Sequence, residues 1–349
     1  MAVTQAGIYA ASLMATISYF DEGDPNNQKA DMAKALASLT DPSVNGPWKL
    51  VWGPADNDGI LSFVARAGDG SYALAIRGTL TTSSAEGFAA NLWDDAEVAQ
   101  VPFLYPQSAG ANIAAGSNDA LALLIASTDP ATDIGLLDYL RSVAYAKGNA
   151  ISLVVVGHSL GGDIANLASL WLADQLGKVK PIQHAITPYT LAAPTTGDQA
   201  FANLWNATFG SDSYALVNTW DIIPMAWNKL AALLKTYVPQ GGPSLYKDDY
   251  YYVYLPVELI QQYIIAENYT FVPVSPSTYD TFPGIAFLQG SHWDTEAARQ
   301  HSLLGAYNAY IWLGLANPPA VITEARERPR VAQRRPRPAA SSAAEAPAR

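Results

Sequence analysis

The apolar, β-branched run Ile151-Ser152-Leu153-Val154-Val155-Val156 ends directly in Gly157-His158-Ser159-Leu160-Gly161-Gly162. Such a run reads as a strand buried on both faces, as in the middle of a parallel sheet. From about Asp163, the side chains Ile164, Leu167, Trp171 and Leu172 recur at helical spacing, so a helix follows. A strand that passes into a helix through G-x-S-x-G puts its serine on a sharp, strained bend with the hydroxyl exposed. Gly157 and Gly161 leave room, because side chains there would collide across the turn. The helix start supplies N–H groups and the positive end of a dipole to a developing oxyanion, and the Leu160 amide is the first such donor. A helix-capping serine in an ordinary turn is the plainer alternative, but it would not need glycine on both sides.

The rest of the chain alternates strand and helix patterns. Residues 49–53 and 60–66 flank Asp56-Asn57-Asp58-Gly59, a turn signal, and 72–77 follow Gly68-Asp69-Gly70, so an antiparallel meander is expected near the start. Asp56-Asn57-Asp58-Gly59 also resembles the start of a calcium loop. No bidentate Glu follows at the required spacing, so the hairpin turn is preferred. Helices are expected over 118–127 and 135–147, and strands over 189–193 and 213–219. This order implies an α/β fold with a sheet parallel in its centre. Residues 7–20 carry Tyr9, Leu13, Ile17 and Phe20 at helical spacing and read as an amphipathic helix. The Tyr-rich span of about 229–291 reads as an insertion that would build pocket walls.

A serine hydroxyl needs a base, and in sheets with such an elbow the acid and then the histidine follow it in the chain. Of the four histidines, His158 is locked inside the elbow and His184 precedes the acid candidate. That leaves His292 and His301. The acid candidate is Asp221, in Asn218-Thr219-Trp220-Asp221-Ile222-Ile223-Pro224 at the end of a predicted strand. A carboxylate there can fix an imidazole tautomer, whereas the bland reading is an ordinary turn Asp. Ala75-Ile76-Arg77-Gly78-Thr79 ends an earlier strand at the same sheet edge, so Thr79 is the candidate second oxyanion donor. A simple strand-terminating turn would look the same.

Composition narrows the classes. The chain of 349 residues holds no cysteine, which removes disulfides and thiolate chemistry. Its net charge is −11, and an acidic surface disfavours a nucleic-acid partner. Seven of the 20 basic and three of the 31 acidic residues lie from Pro318 onward, so the body carries 13 against 28. That Pro-, Ala- and Arg-rich tail, 318–349, reads as disordered, with 1–317 as the folded domain. No stretch reaches the length of a membrane span, no histidine pair has metal-ligand spacing and no phosphate loop appears, so no cofactor is expected. The first basic side chain is Lys29, so the N-terminus lacks the lead of a secretory signal. Cytoplasmic placement is then the default expectation, with secretion by another route open.

Together the IRGT, GHSLGG and NTWDIIP strings and a late His-Ser segment resemble the class 3 lipase family, related to fungal triacylglycerol lipases. The likeness spans roughly residues 50–315. It implies an α/β-hydrolase: a central, mostly parallel sheet flanked by helices, with an N-terminal antiparallel hairpin and a lid at about 80–93. It implies Ser159 as nucleophile, Asp221 as orienting acid, and Thr79 and Leu160 as the oxyanion hole. Its habit of placing the histidine before an aromatic-bearing helix favours His301, with Ser302 and Tyr307 following, over His292. The expected activity is carboxylic ester hydrolysis on triacylglycerols or shorter-chain esters, at an oil–water interface where the substrate is oil. Feruloyl-type or phospholipid esters, and a non-catalytic binding module of the same fold, are the alternatives. Two features depart from the family pattern. Asp163 stands where a small apolar residue is usual and brings negative charge near the oxyanion. No histidine occurs in Ile113-Ala114-Ala115-Gly116. The lack of cysteine excludes the disulfides of fungal relatives and suits a bacterial member.

Overall fold

A computed structural model describes residues 3–20, 25–79, 97–106, 110–178, 182–244 and 253–313, together with Val321. The expected lid at 80–93 lies outside the described residues, as does the tail apart from Val321. Val321 itself is buried in the core.

Two helices, α1 (Gln5–Ser18) and α2 (Pro25–Ser38), precede a hairpin of β1 (Trp48–Asn57) and β2 (Ile60–Ala67). Asp58 and Gly59 both take positive φ, and the Gly59 amide donates to Asp56 Oδ1 at 2.9 Å, so the Asp-Asn-Asp-Gly string is a hairpin turn. β3 (Tyr72–Ile76) completes the meander. A separate pair, β4 (Gln100–Pro102) and β5 (Asn112–Ala114), leads into α3 (Ala115–Ile125) and α4 (Leu136–Ala146). Next come β6 (Ala150–His158), α5 (Leu160–Lys178), β7 (Gln183–Leu191), α6 (Gln199–Phe209) and β8 (Tyr214–Asn218). The chain closes with α7 (Leu230–Leu233), α8 (Leu255–Ala266), β9 (Thr278–Phe282), α9 (Trp293–His301) and α10 (Asn308–Ile311).

Among the described residues the main sheet runs β1-β2-β3-β6-β7-β8-β9, parallel from β3 onward. Its central strands alternate between two cores, as a period of two dictates. Phe63, Ala75 and Val156 face the layer of α1 and α2. Val64, Leu74, Leu153 and Val155 face the layer of α3 to α6. The sheet is therefore covered on both sides, as the apolar run at 151–156 requires.

Three expectations need correction. The helix behind the elbow starts at Leu160, one residue after the serine, rather than near Asp163. α1 is not amphipathic in the ordinary sense, because every residue from Ala10 to Ser18 is buried. Its small polar residues make this possible: Thr16 donates to Ser12 O at 2.7 Å, Asn308 donates to Thr16 Oγ1 at 2.8 Å, and Trp312 donates to Ser12 Oγ at 3.0 Å. Polar atoms taken out of water with partners in place carry little penalty. Finally, the span read as an insertion returns to the sheet as β9, whose polar sequence Thr-Tyr-Asp-Thr-Phe gave no strand signal.

Candidate active site

Ser159 joins β6 to α5 with φ +62°. A non-glycine residue held there is strained by about 1–3 kcal/mol and persists only where its surroundings fix it. Here the Ser159 amide donates to Leu191 O at 2.9 Å, and the Gly162 and Asp163 amides donate back to Ser159 O. The glycines fit this turn for different reasons. A Cβ at Gly157 would strike the Gly161 backbone across the turn, as anticipated. A Cβ at Gly161 would instead strike Ile76 O and the Arg77–Gly78 backbone at the end of β3. The elbow is thus packed directly against the loop that carries Thr79. Thr79 is half-buried, and the Leu160 amide is the first of the N–H groups that a helix start leaves without an intrahelical partner.

His301 ends α9, and Asp221 follows β8. The structure brings both to Ser159. His301 Nε2 lies 2.8 Å from Ser159 Oγ, and His301 Nδ1 lies 2.8 Å from Asp221 Oδ2. A carboxylate can only accept, so Nδ1 carries the proton and Nε2 is left to accept from the serine hydroxyl. Asp221 is 1% exposed, and its other oxygen accepts from the Ile223 amide at 2.9 Å. Tyr307 donates to Oδ2 at 2.7 Å. Burial first, then the charge of Asp221, push the Tyr307 phenol well above its ordinary range, so it stays a donor.

The loop bearing Asp221 is tied to the last turn of α9 by amides. Asn218 Nδ2 donates to Gln300 O at 2.8 Å and to Gln300 Oε1 at 2.9 Å, and Asn218 Oδ1 accepts from the Trp220 amide. Gln300 in turn donates to Ile285 O and to Glu296 Oε1, and Glu296 pairs with Arg299 at 2.7 Å. Asn218 stands in the NTWDIIP string, but nothing in that string pointed to Gln300, which lies 82 residues away.

The other three histidines take different places. His292 is exposed and precedes the first residue of α9, at the far end of that helix from His301. His184 is exposed near the start of β7, the end of the strand opposite Leu191 and the elbow. His158 is buried, with Nδ1 3.0 Å from Tyr19 Oη and Nε2 2.9 Å from His301 O.

Asp163, in the first turn of α5, is 1% exposed. It accepts from Ser117 Oγ of α3 at 2.5 Å. Burial raises its carboxyl to about 6, opposed by the hydrogen bond from Ser117. The charge expected near the oxyanion is therefore enclosed and turned toward α3. Among the described residues no group of three His, Cys, Asp or Glu could hold a metal ion, and no helix is long and apolar enough to cross a membrane.

A strained serine between strand and helix, backed by a parallel sheet covered on both faces, defines an α/β-hydrolase. Residues 73–230 match the family "Lipase (class 3)", so over this segment the chain is similar to the class 3 lipases, serine hydrolases of carboxylic esters. The matched segment holds Ser159 and Asp221 and ends before His292 and His301. Among solved structures, M37 lipase is 21% identical with a TM-score of 0.75, over 92% of this chain and 96% of its own. A lipase from Rhizopus microsporus var. chinensis is 21% identical with a TM-score of 0.45, over 65% of this chain and 71% of its own. A triacylglycerol lipase from Penicillium expansum is 16% identical with a TM-score of 0.41, over 65% of this chain and 76% of its own. The likeness in fold rests on the first of these. No curated protein sequence matches the chain.

Proposed function

We propose that Ser159, His301 and Asp221 are a catalytic triad that hydrolyses lipid-type carboxylic esters through an acyl-enzyme. The observation that carries this reading is the single imidazole bridging Ser159 Oγ and Asp221 Oδ2, each at 2.8 Å. Ser159 Oγ attacks the ester carbonyl carbon while its proton passes to His301 Nε2. Asp221 holds the tautomer and stabilises the imidazolium. The carbonyl oxygen becomes an oxyanion held by the Leu160 amide and by Thr79 through its N–H and hydroxyl. When the C–O bond breaks, His301 returns the proton to the leaving alcohol. Water then attacks the acyl-serine, giving its proton to the same nitrogen, and the serine is regenerated with release of the acid.

Triacylglycerols or shorter-chain esters are the substrates this reading assigns, in keeping with the family. The test is turnover of a nitrophenyl ester by Ser159→Ala, expected to fall by about 10⁴ or more. Near-native turnover in that variant would overturn the reading. A chain-length series, with and without emulsified oil, separates a lipase from an esterase. A rate that jumps when the ester passes its solubility limit marks the lipase.

A further inference from the structure

His158 stands beside the nucleophile in the sequence, but neither ring nitrogen is directed to it. Nε2 faces the carbonyl oxygen of His301 at 2.9 Å, so it must carry a hydrogen and donate. Nδ1 then accepts, and the Tyr19 hydroxyl is its donor at 3.0 Å. The two imidazole rings lie 4.7 Å apart, and the Tyr19 ring meets His158 edge-on at 5.9 Å. Tyr19 reaches a third part of the site as well. A Cβ built on Gly78 would come within 2.6 Å of Tyr19 Oη and 3.0 Å of Ser159 Cβ. The residue after α1 therefore touches both the elbow and the loop that carries Thr79. α1 and Tyr19 lie outside the matched segment 73–230.

We propose that His158 and Tyr19 are positioning residues for the reaction, a proposal that rests on the triad assigned above. The nucleophile and its base are carried by separate elements, the β6–α5 turn and the end of α9. His301 is the last residue of its helix, where backbone carbonyls lack intrahelical partners. The His158 N–H satisfies that carbonyl from the nucleophile's own turn and so braces the base's main chain against the serine. Tyr19 fixes the His158 ring in the one tautomer that can do this, and its hydroxyl fills the space beside Gly78. Neither residue touches substrate or exchanges a proton with it. Both act through the place of the His301 ring, where an error of about 1 Å costs on the order of 100-fold in rate.

The experiment compares Tyr19→Phe, His158→Leu, His158→Gln and Ser159→Ala in the full chain, with a soluble nitrophenyl ester. Thermal melting is followed alongside kcat and KM. Tyr19→Phe deletes one oxygen and is expected to lower kcat about tenfold, with KM within about twofold of wild type. His158→Leu is expected to lower kcat about 100-fold. His158→Gln, whose amide nitrogen can stand where Nε2 stands, is expected to recover at least tenfold of that loss. A purely structural role would lower the melting temperature of the Gln and Leu variants without separating their kcat values. Full kcat in Tyr19→Phe and His158→Leu, or a Gln variant no better than Leu, overturns the proposal. If His158→Leu does not fold, Tyr19→Phe alone decides, by a reduced or an unchanged kcat. Retained turnover in Ser159→Ala would instead bring down the triad reading itself.

Discussion

The Tyr307 hydroxyl donates to the same oxygen of Asp221 that receives the His301 N–H, at 2.7 and 2.8 Å. That hydroxyl also accepts from the Asn218 amide at 3.1 Å. One phenol thus fixes the acid's carboxylate plane and closes the turn leading into it. Tyr307→Phe leaves the ring packed and removes only these bonds. An unpartnered buried amide costs about 1–3 kcal/mol, so the melting temperature should fall by several degrees. Turnover should drop about tenfold, because Asp221 keeps the Ile223 amide but loses one of two restraints on Oδ2. Steady-state kinetics with calorimetry checks both; unchanged kcat would remove Tyr307 from the site.

Asp163 predicts a pH dependence of stability. Its folded-state carboxyl is raised from 3.8 to about 6 by burial. Below about pH 4 it is protonated in both states, and the folded form carries no penalty from it. As pH rises from about 4 through 6 the unfolded chain releases the proton first, so stability falls, by roughly 3 kcal/mol in all. Asp163→Asn cannot ionise and can still accept from Ser117. It should match the wild type at pH 4 and exceed it at pH 8 in denaturant unfolding. An equal difference between the two proteins at both pH values would contradict this.

The two late histidines should separate cleanly. His301→Ala removes the bridge between Ser159 and Asp221 and should lower ester turnover about 10⁴-fold. His292→Ala alters an exposed side chain at the opposite end of α9 and should leave kcat within about twofold, with a stability change within about 0.5 kcal/mol. Loss of activity only at position 292 would reverse the assignment.

What could be read in advance was what lay close together along the chain. The elbow occupies six consecutive residues after a strand whose apolar run needs no partner to be recognised, and the structure has it with Ser159 at positive φ. Asp221 was readable for the same reason, at the end of a short strand and before Pro224. Chain order narrowed the base to His292 or His301 and the family likeness favoured His301; the structure sets His301 Nε2 2.8 Å from Ser159 Oγ through the orientation of α9, which no local pattern contains. Tyr19 lies 139 residues from His158, and Asn218 lies 82 from Gln300, so their contacts exist only once the sheet has assembled. β9 escaped because an edge strand needs few apolar side chains. The enclosure of α1 escaped because Ser12 and Thr16 look like surface residues until their partners Asn308 and Trp312 are known.

Covalent capture at the serine tests the central claim most directly. The folded protein is treated with a fluorophosphonate and the adduct located by mass spectrometry of its peptides. The triad predicts one adduct, on Ser159, formed rapidly in the wild type and slowed by orders of magnitude in His301→Ala. An adduct on another residue, or none while ester hydrolysis continues, would contradict the account.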